Sequence, residues 1–137
     1  MLGIKRMDHI CLVARRLEDR LPMLTQLFGM TEAGRFDNPR AGYNGVTLDI
    51  PGSDTQWELL EPSDDESFLV RFLDDRGPGL HHVTFQVTSV DDATKALQEF
   101  GFEPFGGRSY QGYKEVFIHP RDSGGVLIQL YEGDWVD

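Results

Sequence analysis

Polar and apolar positions in this chain alternate in short bursts, and the bursts come in two similar sets. From Met7 to Ala14, residues Ile10, Leu12 and Ala14 fall on one side and His9, Cys11 and Val13 on the other, the period of a strand with one core face. Leu17, Leu21, Leu24 and Phe28 follow at helical spacing. They predict a helix with Pro22 inside its first turn and Gly29 at the C′ position. Strands are expected over Thr31–Asp37, Val46–Ile50 and Thr55–Glu61, punctuated by Pro39-Arg40-Ala41-Gly42 and Pro51-Gly52-Ser53-Asp54. Ser63-Asp64-Asp65-Glu66 fits a capping box whose acidic run favours a helix N-terminus. Phe68, Leu69, Phe72 and Leu73 would be the apolar face of that connecting helix, and Gly77-Pro78-Gly79 ends it.

The opening pattern then returns. His82, Thr84 and Gln86 alternate with Val83, Phe85 and Val87, giving a strand with a polar face and an apolar face. A helix follows from Asp91, with Val90, Ala93, Leu97 and Phe100 on one side and Gly101 as its stop. Strands are expected loosely over Phe102–Arg108 and then over Glu115–His119 and Val126–Glu132, with Pro120-Arg121-Asp122-Ser123-Gly124 as the last turn. Asp8-His9-Ile10 matches His81-His82-Val83, and Gln56-Trp57-Glu58-Leu59-Leu60-Glu61 matches Leu127-Ile128-Gln129-Leu130-Tyr131-Glu132. Both offsets are close to 70 residues, as a duplicated unit requires. The expected fold is α+β: two tandem βαβββ modules forming a curved mixed sheet around a cleft. Module 1 would span about 5–62, the connecting helix 63–77 and module 2 78–137, all within one domain over 1–137.

Composition narrows the partners. With 23 Asp and Glu against 13 Lys and Arg, the net charge is −10, and no basic stripe suits a nucleic-acid duplex or an anionic membrane. The longest apolar run, Ile10 to Ala14, is far too short for a membrane span, and the first residues lack a signal-peptide core. The single Cys11 has no partner for an internal disulfide, so the reading favours the cytoplasm. A small-molecule substrate is the expected partner. Lys114, Arg108 and Arg121 could meet a phosphate, though each also reads as ordinary surface charge.

Four residues occupy equivalent places in the two modules: His9 and His82 on the first strands, Glu58 and Gln129 on the last. Imidazole nitrogens with carboxylate and amide oxygens suit one divalent ion, such as Co, Mn, Ni, Zn or Fe. Four mixed ligands with room for water describe an open, catalytic site rather than a closed structural one. His81 should point away from His82, His119 should serve a turn, and Cys11 should line the cleft or pack as a small buried residue. Trp57 and Trp135 read as packing residues. No GxSxG, Walker A, GxGxxG or HExxH motif is present.

The stretches Met7-Asp8-His9-Ile10, Glu58-Leu59-Leu60-Glu61-Pro62, Gly79-Leu80-His81-His82-Val83, Phe117-Ile118-His119-Pro120 and Gly124-Gly125-Val126-Leu127-Ile128 resemble the vicinal oxygen chelate superfamily. That superfamily includes glyoxalase I, extradiol dioxygenases and methylmalonyl-CoA epimerase, and the chain looks most like the epimerase branch. The resemblance implies metal ligands at His9, Glu58, His82 and Gln129, and a carboxylate that removes and returns a proton beside a carbonyl. Glu58 is the expected base and Asp49 a weaker one. The substrate implied is a CoA thioester, or a glutathione adduct if the chain is glyoxalase-like. A non-catalytic binding protein on the same fold is a further alternative. Members of the family commonly form homodimers. One departure stands out: epimerases place Gln at the first strand-end position and Glu at the second, and here Glu58 and Gln129 are exchanged. Replacing Gln129 by Glu is therefore expected to add charge beside the ion and tighten its binding.

Overall fold

Strand β1 (Ile4–Val13) starts exposed and ends with His9, Cys11 and Val13 buried on one face and Ile10 and Leu12 half-buried on the other. A computed structural model describes residues 1–134; Trp135 lies outside the described residues. Seven further strands follow: β2 (Thr31–Asn38), β3 (Tyr43–Asp49), β4 (Gln56–Pro62), β5 (Gly79–Val87), β6 (Phe105–Tyr110), β7 (Tyr113–Ile118) and β8 (Leu127–Glu132). Helices α1 (Phe68–Arg76) and α2 (Val90–Phe100) and the short α3 (Pro120–Ser123) complete the set. The strands form one mixed sheet in the order β2-β3-β4-β1-β5-β8-β7-β6. The repeat is written in that order. β1 pairs parallel with β4, which pairs antiparallel with β3; β5 pairs parallel with β8, which pairs antiparallel with β7. By its internal contacts the chain forms two units, residues 9–81 and residues 1–8 with 82–137. The chain passes between them at Asp8–His9 and again at His81–His82.

In the unit of residues 9–81, one face of the strands carries Ala14, Val46, Leu48 and Leu59 against Leu17, Leu21 and Leu24. Those three leucines are buried as their spacing predicted, but not on one α-helix. Leu17–Asp19 is a 3₁₀ turn, and Met23–Leu27 is a wider, π-type turn in which the Phe28 N–H reaches the Met23 carbonyl at 3.1 Å. Pro22 stands between them and has no N–H to extend a ladder. Gly29, at φ 74°, ends the segment in the left-handed conformation expected of it. Trp57 packs against this core as expected, and its buried indole N–H has no acceptor among the described residues.

The opposite face is a second core rather than an open surface. Cys11, Val13 and Leu60 meet Leu69 and Leu73 of α1, all at 5% exposure or less. The cap of α1 also differs from the sequence reading. Ser67, not Ser63, is the N-cap, its Oγ accepting the Leu69 N–H at 3.2 Å. The Ser63 N–H is already bound to the Gly42 carbonyl, and the acidic run forms a turn in which Asp64 accepts from the Glu66 N–H.

In the other unit, α2 starts at Ser89, whose Oγ accepts the Asp92 N–H, and stops at Gly101 in the left-handed region. Val90, Ala93 and Leu97 pack on Val87, Val116, Ile118 and Leu130. Phe100, expected on the same face, is 77% exposed; its ring lies in the last turn and meets Phe102 edge-on at 5.0 Å. His119 serves the turn as expected, its Nδ1 accepting the Arg121 N–H ahead of α3.

The repeat extends to a hydrogen bond. Glu61, at the end of β4, accepts the Leu17 N–H at 2.8 Å, and its match Glu132, at the end of β8, accepts the Val90 N–H at 2.9 Å. In each half a carboxylate on the last strand ties down the start of the helical segment that follows the first strand.

Candidate metal centre

The first half of the site is built from neighbouring parallel strands. In the β1–β4 register Cys11 lies across from Glu58 and His9 across from Gln56. Side chains two apart share a face of a strand, so His9 and Cys11 look onto the same side as Glu58. His9 Nε2 is 3.8 Å from Glu58 Oε1, and His9 is only 7% exposed. Burial raises the Cys11 thiol well above its ordinary pKa, and the Glu58 charge and its hydrogen bond with the thiol add to the rise. Cys11 is therefore a neutral thiol beside Glu58, not a thiolate, and its Sγ lies 3.9 Å from the Leu12 carbonyl. Asp49, the weaker base of the sequence reading, is exposed and accepts from Gln56 Nε2 at 2.9 Å.

His81 packs in an aromatic corner, its ring 5.9 Å from Phe68 and 5.0 Å from Phe72. Burial lowers its pKa and the nearby Arg76 charge lowers it further, so the neutral imidazole is favoured there.

The second half lies on β5, β8 and β7. Thr84 stands across from Gln129, Phe117 across from Gln129 on the other side, and Glu115 across from Tyr131. Gln129 is 8% exposed and both ends of its amide are engaged. Oε1 accepts the Thr84 hydroxyl at 2.8 Å; Nε2 donates to Glu115 Oε1 at 3.3 Å and to the Tyr113 oxygen at 3.4 Å. Glu115 is a carboxylate at 3% exposure. Its Oε1 accepts the Tyr113 hydroxyl at 2.6 Å, and its Oε2 accepts from Arg108 Nε at 3.2 Å. Burial, and then Glu115, drives the Tyr113 phenol far above its ordinary pKa, so Tyr113 keeps its proton. Beside it, Tyr131 stacks on Tyr113 and donates to Asp8 at 2.7 Å.

One ligand atom each from His9, Glu58 and His82 lies within 4.8 Å of the others, a group able to hold a metal ion. A second group, Cys11, His81 and His82, satisfies the same spacing. Its sulphur belongs to Cys11, which is fully buried among Val13, Leu60, Leu69 and Leu73. His9, Glu58 and His82, three of the four ligands expected from the repeat, form the first of these groups; Gln129, the amide of the expected set, is hydrogen-bonded to Thr84, Tyr113 and Glu115. Two of the three cations considered for a phosphate are engaged elsewhere, Arg108 with Glu115 and Lys114 with Asp91 at 3.0 Å.

Sequence reasoning passed over Glu115, Tyr113 and Thr84. The signal was there in the alternation of β7. Val116 and Ile118 face the α2 core, which leaves Tyr113, Glu115 and Phe117 on the face of Gln129, with a carboxylate between two aromatic residues.

Residues 8–118 match the profile of the Glyoxalase/Bleomycin resistance protein/Dioxygenase superfamily. The chain is 26% identical over 136 residues to a mitochondrial methylmalonyl-CoA epimerase of Dictyostelium discoideum, covering 96% of this chain and 80% of that protein. It is 27% identical over 133 residues to an ethylmalonyl-CoA/methylmalonyl-CoA epimerase of Cereibacter sphaeroides, covering 93% and 97%. Among solved structures, the methylmalonyl-CoA epimerase of Mycobacterium tuberculosis superposes with a TM-score of 0.82 at 29% identity, covering 97% of this chain and 91% of that one.

Proposed function

The chain belongs to the glyoxalase/bleomycin resistance protein/dioxygenase superfamily, and from that premise we propose that it is a divalent-metal-dependent epimerase of a methylmalonyl-CoA-like thioester. The observation that carries the reading is the His9–Glu58–His82 group, with ligand atoms within 4.8 Å, in a chain similar along nearly its whole length to such epimerases. Two imidazoles and a carboxylate are a donor set suited to Co, Mn, Ni, Zn or Fe(II), and Gln129 would add the amide oxygen. When bound, such an ion supplies positive charge beside the thioester oxygen on which negative charge collects as the α-proton leaves.

The protein's own residues do the rest. Glu58 takes the α-proton from one face of the centre; its return by Glu58 exchanges the α-hydrogen with retention, and inversion requires a second proton donor on the opposite face of the planar enolate. Cys11 stands across from Glu58 in the β1–β4 register as an uncharged thiol. The relatives favour this reading over a glyoxalase I-like lyase acting on a glutathione adduct. Retention of three ionisable ligands favours an enzyme over a non-catalytic binding protein. A homodimer in the cytoplasm, with all 137 residues in one domain, completes the proposal; among the described residues no helix is long and apolar enough to cross a membrane.

Metal analysis and isotope exchange test it. The purified protein should carry about one divalent ion per chain. The loaded protein should incorporate solvent deuterium at the α-carbon of methylmalonyl-CoA. Glu58→Gln should retain the fold and slow that exchange by about a hundredfold, the scale of a lost general base. A protein that takes up no ion, or a loaded one that exchanges no deuterium, would refute the reading.

A further inference from the structure

We propose that Glu115 is a positioning residue that sets the direction of the Gln129 amide, so that the amide oxygen rather than its nitrogen is turned towards the β5 side chains. The inference rests on the reading of Gln129 as a metal ligand given above.

A glutamine amide has a donor end and an acceptor end of nearly equal size, and only the oxygen is a useful ligand for a cation. The neighbours on β7 decide which end goes where. The Glu115 carboxylate can only accept, and it lies 3.3 Å from Nε2. The Tyr113 hydroxyl hydrogen is committed to Glu115 Oε1 at 2.6 Å, so towards Gln129 the Tyr113 oxygen also acts as an acceptor. On the opposite side the Thr84 hydroxyl donates to Oε1 at 2.8 Å.

Reversing the amide would place its oxygen at the carboxylate, with no hydrogen between two buried acceptors, whereas the Thr84 hydroxyl can donate or accept and adapts to whichever end it meets. Arg108 holds the second carboxylate oxygen at 3.2 Å and so fixes the rotation of Glu115 itself.

The orientation has a direction in the fold. Thr84 and His82 are two apart on β5 and share one face of the strand. The end of the amide held by Thr84 is thus the end turned to the strand that carries His82. Its oxygen has a second lone pair beyond the one Thr84 uses. Carboxylates that orient ligating side chains in this way are usual behind metal sites.

The pair also makes a reciprocal arrangement possible. With Glu115→Gln and Gln129→Glu made together, the new amide on β7 could donate a hydrogen to the new carboxylate on β8, and the contact would be kept with the charge moved forward.

The test is Co²⁺ binding, followed by calorimetry and by the visible absorption of the bound ion, with thermal stability measured alongside. Glu115→Gln should weaken Co²⁺ by about tenfold or more and shift the absorption band, as expected for loss of a residue that orients a ligand. The exchange Glu115→Gln with Gln129→Glu should restore affinity to at least that of the parent. If Glu115→Gln fails to fold, Arg108→Met, which frees the rotation of Glu115, decides instead: weaker Co²⁺ binding with a shifted band supports the proposal, and parental affinity with an unshifted band overturns it. Co²⁺ affinity and band unchanged in Glu115→Gln, with or without a fall in melting temperature, would reduce Glu115 to a structural residue and overturn the proposal. Should the parent itself bind no Co²⁺, Mn²⁺ or Zn²⁺, the metal reading fails and this inference fails with it; parental binding with an indifferent Glu115→Gln removes only the inference.

Discussion

Replacing Gln129 by Glu on its own should destabilise the protein at neutral pH, and the structure gives the size. The new carboxylate would take the place of an amide nitrogen 3.3 Å from Glu115 Oε1, inside a site where Gln129 and Glu115 are 8% and 3% exposed. Two unit charges at that separation repel by about 5 kcal/mol at an effective dielectric constant of about 20. The pair can avoid this by keeping one proton between them. Holding a carboxyl with an ordinary pKa of about 4.3 protonated at about pH 7.5 costs roughly 4 kcal/mol. The cheaper route sets the loss, so roughly 4 kcal/mol is its ceiling, and relaxation around the exposed Arg108 reduces it. At about pH 5.5 the same protonation costs less than about 2 kcal/mol. The sign follows from linkage. The pair's folded-state pKa is raised, so its stability is intact at low pH and is lost as pH rises through the raised value. Urea unfolding of metal-free parent and Gln129→Glu at both pH values measures the difference. A variant as stable as the parent at about pH 7.5, or a deficit that does not shrink on acidification, would refute the argument. The expectation from sequence that this change simply tightens metal binding is revised accordingly: without the matching change at Glu115, the added charge meets one already there.

Two further outcomes are expected. Gly45→Ala should destabilise by about 1–3 kcal/mol, because a Cβ at Gly45 would lie 2.6 Å from Phe36 Cε2 and 2.7 Å from Leu60 Cδ2; unchanged thermal melting would contradict that packing. His81, its pKa lowered by burial and then by Arg76, should contribute stability that is present above the ordinary histidine pKa and lost as pH falls through the lowered folded-state value. His81→Phe should therefore flatten the acid side of the metal-free stability profile, and an unaltered slope would exclude His81 as its source.

The duplicated architecture was legible because it is carried by local alternation. His9 and His82, Glu58 and Gln129, and Glu61 and Glu132 each recur at matching points of a strand-period pattern, and the sheet places each pair at matching positions. Caps and helix type were less legible. Ser63 and Ser67 are both good N-caps in isolation, and the choice fell to Ser67 because the Ser63 N–H is tied to Gly42, a partner distant in sequence. The stripe Leu17–Leu21–Leu24 reported burial correctly but could not show that Pro22 would split the backbone into a tight turn and a wide one. Glu115 escaped notice for a similar reason. A lone glutamate on a strand reads as solvated, and its meaning comes from Tyr113, Arg108 and Gln129, brought together only by the β6–β7–β8 register.

Strand β1 has a consequence for how the molecule could be taken apart. Its first residues, through Asp8, count with residues 82–137, where the Gly3 carbonyl accepts the Thr88 N–H and Asp8 accepts the Tyr131 hydroxyl; from His9 onward it counts with residues 9–81. A scission in the connector, between Gly77 and Pro78, would not release two independent copies of the ancestral-looking half. The C-terminal fragment would leave its opening segment behind on the N-terminal one, as in a domain-swapped pair whose exchanged arm happens to be covalently continuous. The dependence runs one way: residues 9–81 are continuous along the chain and could be cut out whole, whereas the unit of residues 82–137 could not be transplanted without carrying the first eight residues of the chain with it.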